Sequence, residues 1–430
     1  MNQLKYKCFQ YIFCFPAIFL VQLFPLYAQE IVMEDKIYDD KIKTVQLYLY
    51  DGTGKDVLNS AVTELNSRQP LILEFDDLRE DAKLYSAKIF HCNADWKQSQ
   101  LNNMEFLYDF NEFFIEDYEY SFDTRVYYVH YRFQVPRVKL PGNYILAVFP
   151  ENEEDNVVFT QRFMVFRQGI GIGAEVQNSS GVKERDFNQE VTFTLNYGGL
   201  DVVDPMQDVK VVVRQNQRWD NIITDLKPTF MRIDQKQLEY RHFNLENNFR
   251  GGNEYRFFDL RSVNFGGQNV GDINIQEYSI DAFLVKDQIR GADVYGQYED
   301  LNGQYIIDTK DGGNPTLEAE YIEVHFFLDA AEPYKQPVYV FGELTNWNLI
   351  PEAILRYDRE LKGYTGTLLL KQGWYNYEYY LANDEKTFGV EGSHFETEND
   401  YEIFVYYRPP TAVADMLVGY QQINYHPMLR

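Results

Sequence analysis

Short runs in which apolar and polar residues alternate, set off by Gly, Pro, Asn and Asp, cover most of the chain. TVQLYLYD, PLILEFDDL, YSAKIFHC, VYYVHYRFQVP, GNYILAVFP and VFTQRFMVF fall between residues 44 and 166. Alternation with period two sends successive side chains to opposite faces, so each run reads as a strand. EVTFTLNYGG, DVKVVVRQN, TFMRID, LEYRHFNL, EYRFFDLRS and YSIDAFLV continue the pattern, followed by YIEVHFFLD, PVYVFGELTNWN, GYTGTLLLKQGWYNYEYYL and YEIFVYYRPP. No helical period of ten or more residues appears after residue 28. The pattern predicts an all-β chain of three consecutive antiparallel β-sandwich, immunoglobulin-like domains.

Gly-rich and small-residue stretches mark the expected boundaries. RQGIGIGAEVQNSSG separates a first unit, 29–168, from a second, 169–312, and TKDGGNPTLEAE precedes a third, 313–408. LNNMEFLYDF is a helix-like connection inside the first unit. Pro409 and Pro410 are expected to end the last sheet, leaving 409–430 as a tail.

Residues 1–28 read differently: Lys5 and Lys7, an apolar run from Tyr11 to Leu26, and Ala28 before Gln29 suit a cleavable secretory signal peptide. The run is shorter than the ~20 residues that span a bilayer, so no transmembrane segment is expected in the mature chain. Cys8 and Cys14 would leave with the signal, making Cys92 the only cysteine and excluding an intramolecular disulfide. Without Lys5 and Lys7, 38 basic residues stand against 66 acidic ones, a formal charge of −28. A nucleic acid is repelled by that field and is not an expected partner. Aromatics make up 17% of the chain, which suits sandwich cores and aromatic-rich contact surfaces.

IFHCNADW places His91 and Cys92 side by side, with Asp95 and Trp96 close behind. On a strand, however, neighbours point to opposite faces, so a nucleophile–base dyad fails on geometry and Cys92 reads as a buried, inert thiol. Asp95 reads as a turn residue and Trp96 as a packing anchor. His130, in YYVHYRF, is the other histidine of the same unit and reads as a hydrogen-bonded structural residue. The histidines lack metal-ligand spacing, and FDDL at 75–78, EDAK and ENEED do not fit a calcium loop, so these acids read as solvated turns. GIGIG does not precede a helical pattern and is not a phosphate loop. No catalytic, cofactor-binding or metal residue is predicted, nor any cofactor.

Two resemblances add to this reading. Gly342, Trp347, Gly373, Tyr375, Tyr377 and Tyr379 fall as in immunoglobulin-like glycogen-binding modules, whose sugar-binding members carry a second exposed Trp in the turn after the last strand. This chain has ANDEKTF there, which leaves Trp347 as the one candidate carbohydrate contact. The first unit resembles the amino-terminal domain of the type IX secretion system plug protein family, through HCNADW, SFDT, the HY of VHYRF and PGNYIL in that order, with INYH near the chain end. PGNY stands where Ser-Gly-Asn-Tyr is more usual. The resemblance implies a non-enzymatic periplasmic protein, peripheral to the outer membrane, that binds and seals the periplasmic opening of the system's outer-membrane β-barrel translocon. The alternative is a periplasmic carbohydrate-binding protein that uses the third domain.

Overall fold

The computed structural model describes residues 31–382 and 388–427, and within them the chain is nearly all strand. The expected signal peptide, 1–28, lies outside the described residues, as does most of ANDEKTF.

The first sandwich packs two sheets. One orders Lys36–Ile37, Phe159–Phe166, Gly142–Pro150, Tyr85–Cys92 and Phe113–Ile115; the other orders Ile42–Leu49, Leu71–Asp77, Val129–Gln134 and Asp117–Tyr120. Leu73, Phe75, Ile89, Tyr131, Tyr144 and Phe163 lie in the core between them. Phe75 stacks on Tyr131 at 4.8 Å and meets Phe159 edge-on at 5.0 Å, geometries that ring quadrupoles favour.

All nine residues of Gly142–Pro150 are buried. Alternation shows how: Tyr144, Leu146 and Val148 enter the first core, while Ile145, Ala147 and Phe149 join a separate cluster with Val212, Phe404, Tyr406 and Leu417. The outer face of this sheet is therefore covered by the second sandwich.

The second sandwich pairs Gly171–Asn178, Asn188–Asn196, Gln237–Tyr240 and Phe230–Arg232 in one sheet, and Ile222–Ile223, Val209–Gln215, Asn399–Tyr407 and Met416–Tyr425 in the other. The third occupies the chain between them. Its strands run, in sheet order, Arg256–Asp259, Gly373–Leu381, Val338–Phe341, Ile354–Asp358, Gly363–Lys371, Tyr321–Asp329, Ile280–Leu284 and Val270–Ile275. Ile354 and Leu355 pair with one neighbour and Arg356–Asp358 with the other, so the sheet folds over on itself.

Strand pairing thus departs from the boundaries at 312 and 408. Arg256–Asp259, placed with the middle unit, pairs with Trp374–Tyr377 of the third. Asn399–Tyr407, placed with the third unit, pairs with Val209–Gln215 of the second. Within the expected tail 409–430, the described residues are no tail: Met416–Tyr425 extends that sheet, and Pro409 and Pro410 lie in the turn leading into it. The cause is insertion of the third sandwich between two strands of the second. Asn399–Tyr407 is buried on both sides, with Tyr401, Ile403 and Val405 in the second core and Phe404 and Tyr406 against the first sandwich.

Candidate functional site

The motif residues of the first sandwich gather in its core and at its joints with the other two. His91 and Cys92 end the strand Tyr85–Cys92 and face opposite ways. The His91 imidazole packs on Tyr144 (centroids 5.0 Å apart) and Phe106 (5.9 Å), while Cys92 enters the cluster shared with the second sandwich. Burial pushes His91 down to about 4 and the Cys92 thiol up to about 12. Both are neutral at pH 7, so the pair provides neither a thiolate nor an imidazolium. Gly142 of PGNYIL closes the space beside the ring: a Cβ there would sit 2.3 Å from His91 Nε2. Two of the sequence motifs therefore touch.

Residues 93–97 form a tight turn, in which the Asn93 and Trp96 amides donate to the Lys97 and Asn93 carbonyls. Asp95 accepts the Lys97 amide at 3.2 Å and pairs with its ammonium at 2.8 Å. This turn grips the second sandwich. Asn93 Oδ1 accepts from Arg408 (2.9 Å) and from the Asp415 amide (3.1 Å), and Asp415 Oδ2 accepts the Ala94 amide (3.1 Å). The Trp96 ring meets Trp219 edge-on at 4.9 Å, with the Arg162 guanidinium 4.7 Å from its centroid. On Trp219, Arg214 lies at 4.4 Å while bonding Glu402 (2.8 Å) and Ser60 of the first sandwich (2.8 Å).

SFDT and VHYRF make the joint with the third sandwich. Ser121 and Tyr128 exchange bonds, from the Ser121 amide to the Tyr128 carbonyl at 2.9 Å and from the Tyr128 amide to Ser121 Oγ at 3.0 Å. So held, the Tyr128 hydroxyl donates to the Thr316 and Ala319 carbonyls, both at 3.1 Å. His130 Nδ1 lies 2.8 Å from Asp76 Oδ1, and Asp76 Oδ2 accepts from Tyr321 Oη and Lys371 Nζ, each at 2.7 Å. Burial pushes the Asp76 carboxyl up, but Lys371 and His130 outweigh it and hold it below the usual carboxylate range. FDDL is therefore not a solvated turn: Asp76 and Asp77 are 1% and 0% exposed within the strand Leu71–Asp77. The signal available in the sequence was a pair of acids at strand positions. Asp77 is bonded by Arg79 and Tyr85 close by, whereas the Asp76 partners Tyr321 and Lys371 lie too far along the chain to be anticipated.

Trp347 follows the Glu343–Thr345 turn, and its amide donates to the Gly342 carbonyl at 3.0 Å. Its ring packs on Gly303, Tyr255 (6.0 Å) and Phe341 (5.5 Å), with the Arg218 guanidinium 4.7 Å from its centroid. Arg218 in turn bonds Asp220, Tyr255 and Glu378. The indole thus serves a joint between the second and third sandwiches. Tyr375, Tyr377 and Tyr379 lie in the third core, the last two donating to Asp287 Oδ2 at 2.6 and 2.8 Å.

A cleft of about 780 Å³ lies between the first and third sandwiches, lined by Tyr38, Lys43, Glu343, Asn346, Leu370 and Tyr375 among others. Burial pushes the Glu343 carboxyl up to about 8. Among the described residues, no group of three or more His, Cys, Asp or Glu side chains is placed to hold a metal ion, and no helix is long and apolar enough to cross a membrane.

Residues 42–167 match the family model for the type 9 secretion system plug protein 1st domain, a span that contains all four motif elements of the first sandwich. The fold is similar to that of a hypothetical protein from Parabacteroides merdae ATCC 43184, known from a crystal structure. The two share 31% sequence identity and a TM-score of 0.86, over 92% of this chain and 100% of the other. No curated protein matches the chain. With the matched domain spanning the motifs, and those motifs built into the joints, the chain belongs to the type IX secretion system plug protein family.

Proposed function

We propose that this protein is a non-enzymatic periplasmic plug, which binds and seals the periplasmic opening of the outer-membrane β-barrel translocon of the type IX secretion system. The observation that carries the reading is where the family motifs go. HCNADW, SFDT, VHYRF and, through Asn143, PGNYIL supply hydrogen bonds and packing that fix the first sandwich against the other two. A stopper for a wide pore has to resist deformation, and three bodies locked by directional contacts meet that need better than three beads on linkers. His91 and Cys92, the residues that most suggested chemistry, are held neutral and apart.

The test is affinity purification of the tagged mature protein from native membranes, followed by sealing measurements on the recovered complex. A large outer-membrane β-barrel should co-purify, and its ion conductance in a planar bilayer should rise when the protein is stripped off. Recovery of soluble periplasmic proteins alone, or a conductance indifferent to stripping, overturns the proposal. The packing of Trp347 beneath Arg218 weighs against the carbohydrate-binding alternative; a melting shift with α-glucans would restore it.

A further inference from the structure

The first sandwich leaves one side of both its sheets open. Phe113–Ile115 is the last strand of one sheet and Asp117–Tyr120 the last of the other, so the chain crosses between sheets at Glu116 and forms both edges. Every residue of Asp117–Tyr120 is exposed.

The direction of its backbone bonds follows from the register. Ser121 N–H donates to the Tyr128 carbonyl, and Asp117 and Glu119 lie opposite Arg132 and His130. In an antiparallel ladder alternate residues bond the same neighbour, so Glu119 and Asp117 point their amides inward with Ser121, and Tyr118 and Tyr120 point theirs outward. The next outward amide, that of Phe122, is taken: it donates to the Leu317 carbonyl of the third sandwich at 3.2 Å. The edge thus already gives one outward amide to a carbonyl of the short helix Pro315–Glu318 and stays open at Tyr118 and Tyr120.

Charge says what kind of chain fits the open part. From 105 to 124 there are seven carboxylates (Glu105, Asp109, Glu112, Glu116, Asp117, Glu119, Asp123) and no Lys or Arg. Phe114, Tyr118, Tyr120 and Phe122 are 37–52% exposed along the same stretch. Two copies of such an edge repel each other, a known safeguard against self-pairing of open strands. A basic strand is attracted.

We propose that Asp117–Tyr120 is a strand-addition site for an extended, lysine- or arginine-bearing segment of a partner protein. Main-chain bonds to Tyr118 and Tyr120 hold the segment, the carboxylates set its charge, and the exposed rings cover its apolar side chains. The inference stands apart from the plug reading, since it fixes the chemistry of a partner and not its identity.

The test uses the full mature chain, with a fluorescent octapeptide of alternating Lys and Val as the probe and its Glu–Val counterpart as control. We expect saturable, salt-sensitive binding of the basic peptide alone, with new hydrogen-exchange protection at the Tyr118 and Tyr120 amides. Tyr118→Pro removes one outward donor without changing charge or the inner ladder, and should weaken binding roughly tenfold. Three results would each overturn the proposal: no binding, binding by the basic peptide without protection at those amides, or sedimentation showing that the edge pairs two copies of this chain.

Discussion

Replacing Asp76 by Asn tests whether the first and third sandwiches are held by one buried ionic knot. The carboxylate receives three groups at 2.7 to 2.8 Å, and the Asp76 and Lys371 side chains are 1% and 2% exposed. Asn keeps the shape and removes the charge, and its amide must turn a donor toward one of those groups. An exposed pair would contribute ~0–1 kcal/mol, whereas breaking a buried pair costs ~3–5 kcal/mol because the surviving charge stays desolvated. Lys371 retains the Thr316 carbonyl at 2.8 Å and the Tyr128 ring at 4.0 Å, which favours the lower end, about 3 kcal/mol. At roughly 2–4 °C per kcal/mol, the affected calorimetric transition should fall by about 6–12 °C. Because the knot joins two bodies, the first sandwich should also melt apart from the rest. The pH dependence has a definite sign. The Asp76 carboxyl is held below its ordinary value of 3.8, so its contribution is complete above that value and is lost as pH falls through the folded value. Wild type should therefore lose stability below about pH 4 more steeply than the Asn variant. A loss under about 1 kcal/mol with one unchanged transition would refute the reasoning.

Glu343→Gln should act at the opposite end of the pH scale. Its carboxyl is raised from 4.5 to about 8, so the stability it contributes is complete below the ordinary value and fades as pH rises through 8. Melting temperature should fall from pH 5 to 8 in wild type and fall less in the variant, with Glu254 (about 7) and Asp300 (about 6) sustaining the remaining slope. Gly142→Ala drives a methyl into the His91 ring, which Tyr144 and Phe106 hold in place, and should cost ~1–3 kcal/mol by denaturant titration. Cys92, 1% exposed and raised to about 12, should resist iodoacetamide until the protein unfolds, and Cys92→Ser should cost only ~1 kcal/mol and leave the proposed translocon binding unchanged. Rapid alkylation of the native protein would contradict this burial.

Strand positions were legible because alternation is a local property: TVQLYLYD and YSAKIFHC coincide with Ile42–Leu49 and Tyr85–Cys92 to within two residues. Partnership was not, because a period-two pattern says which faces are buried and nothing about what buries them. YEIFVYYRPP illustrates the difference. Its unbroken apolar run signals burial on both faces, which fits a central strand in any of the sandwiches, and it belongs to the one that begins more than two hundred residues earlier. At the joints, Asp95 and Trp96 were readable as turn and anchor from their own neighbourhood. Trp219 and Arg214 were not, since both meet the anchor cluster only after two sandwiches have packed, and Arg162 reaches it from a strand some sixty residues along the chain. The acids of FDDL were misassigned for a related reason. An acid is a turn residue by default, and only the arrival of Lys371 and Tyr321 from the third sandwich makes burial of Asp76 tolerable.

The polarity of these joints bears on what the motifs are for. A purely apolar joint between sandwiches would bury area with little preference for one orientation, because dispersion contacts re-form after a small slide. Charged and hydrogen-bonded groups behave differently in a dry interface: a shift of an ångström takes Lys371 from Asp76 and Arg214 from Ser60, and breaking the buried ion pair costs about 3–5 kcal/mol. The apolar cluster around Ile145, Phe149, Phe404 and Leu417 thus supplies attraction, while Asn93–Asp415, Arg214–Glu402–Ser60 and Asp76–Lys371–His130 select one arrangement. Substituting both Asp76 and Lys371 by apolar residues of similar size should then restore much of the stability lost in Asp76→Asn. It should also leave the first sandwich free to rock against the third, visible as a broadened distance distribution between spin labels on the two bodies. A distribution as narrow as wild type would show that apolar packing alone fixes the orientation.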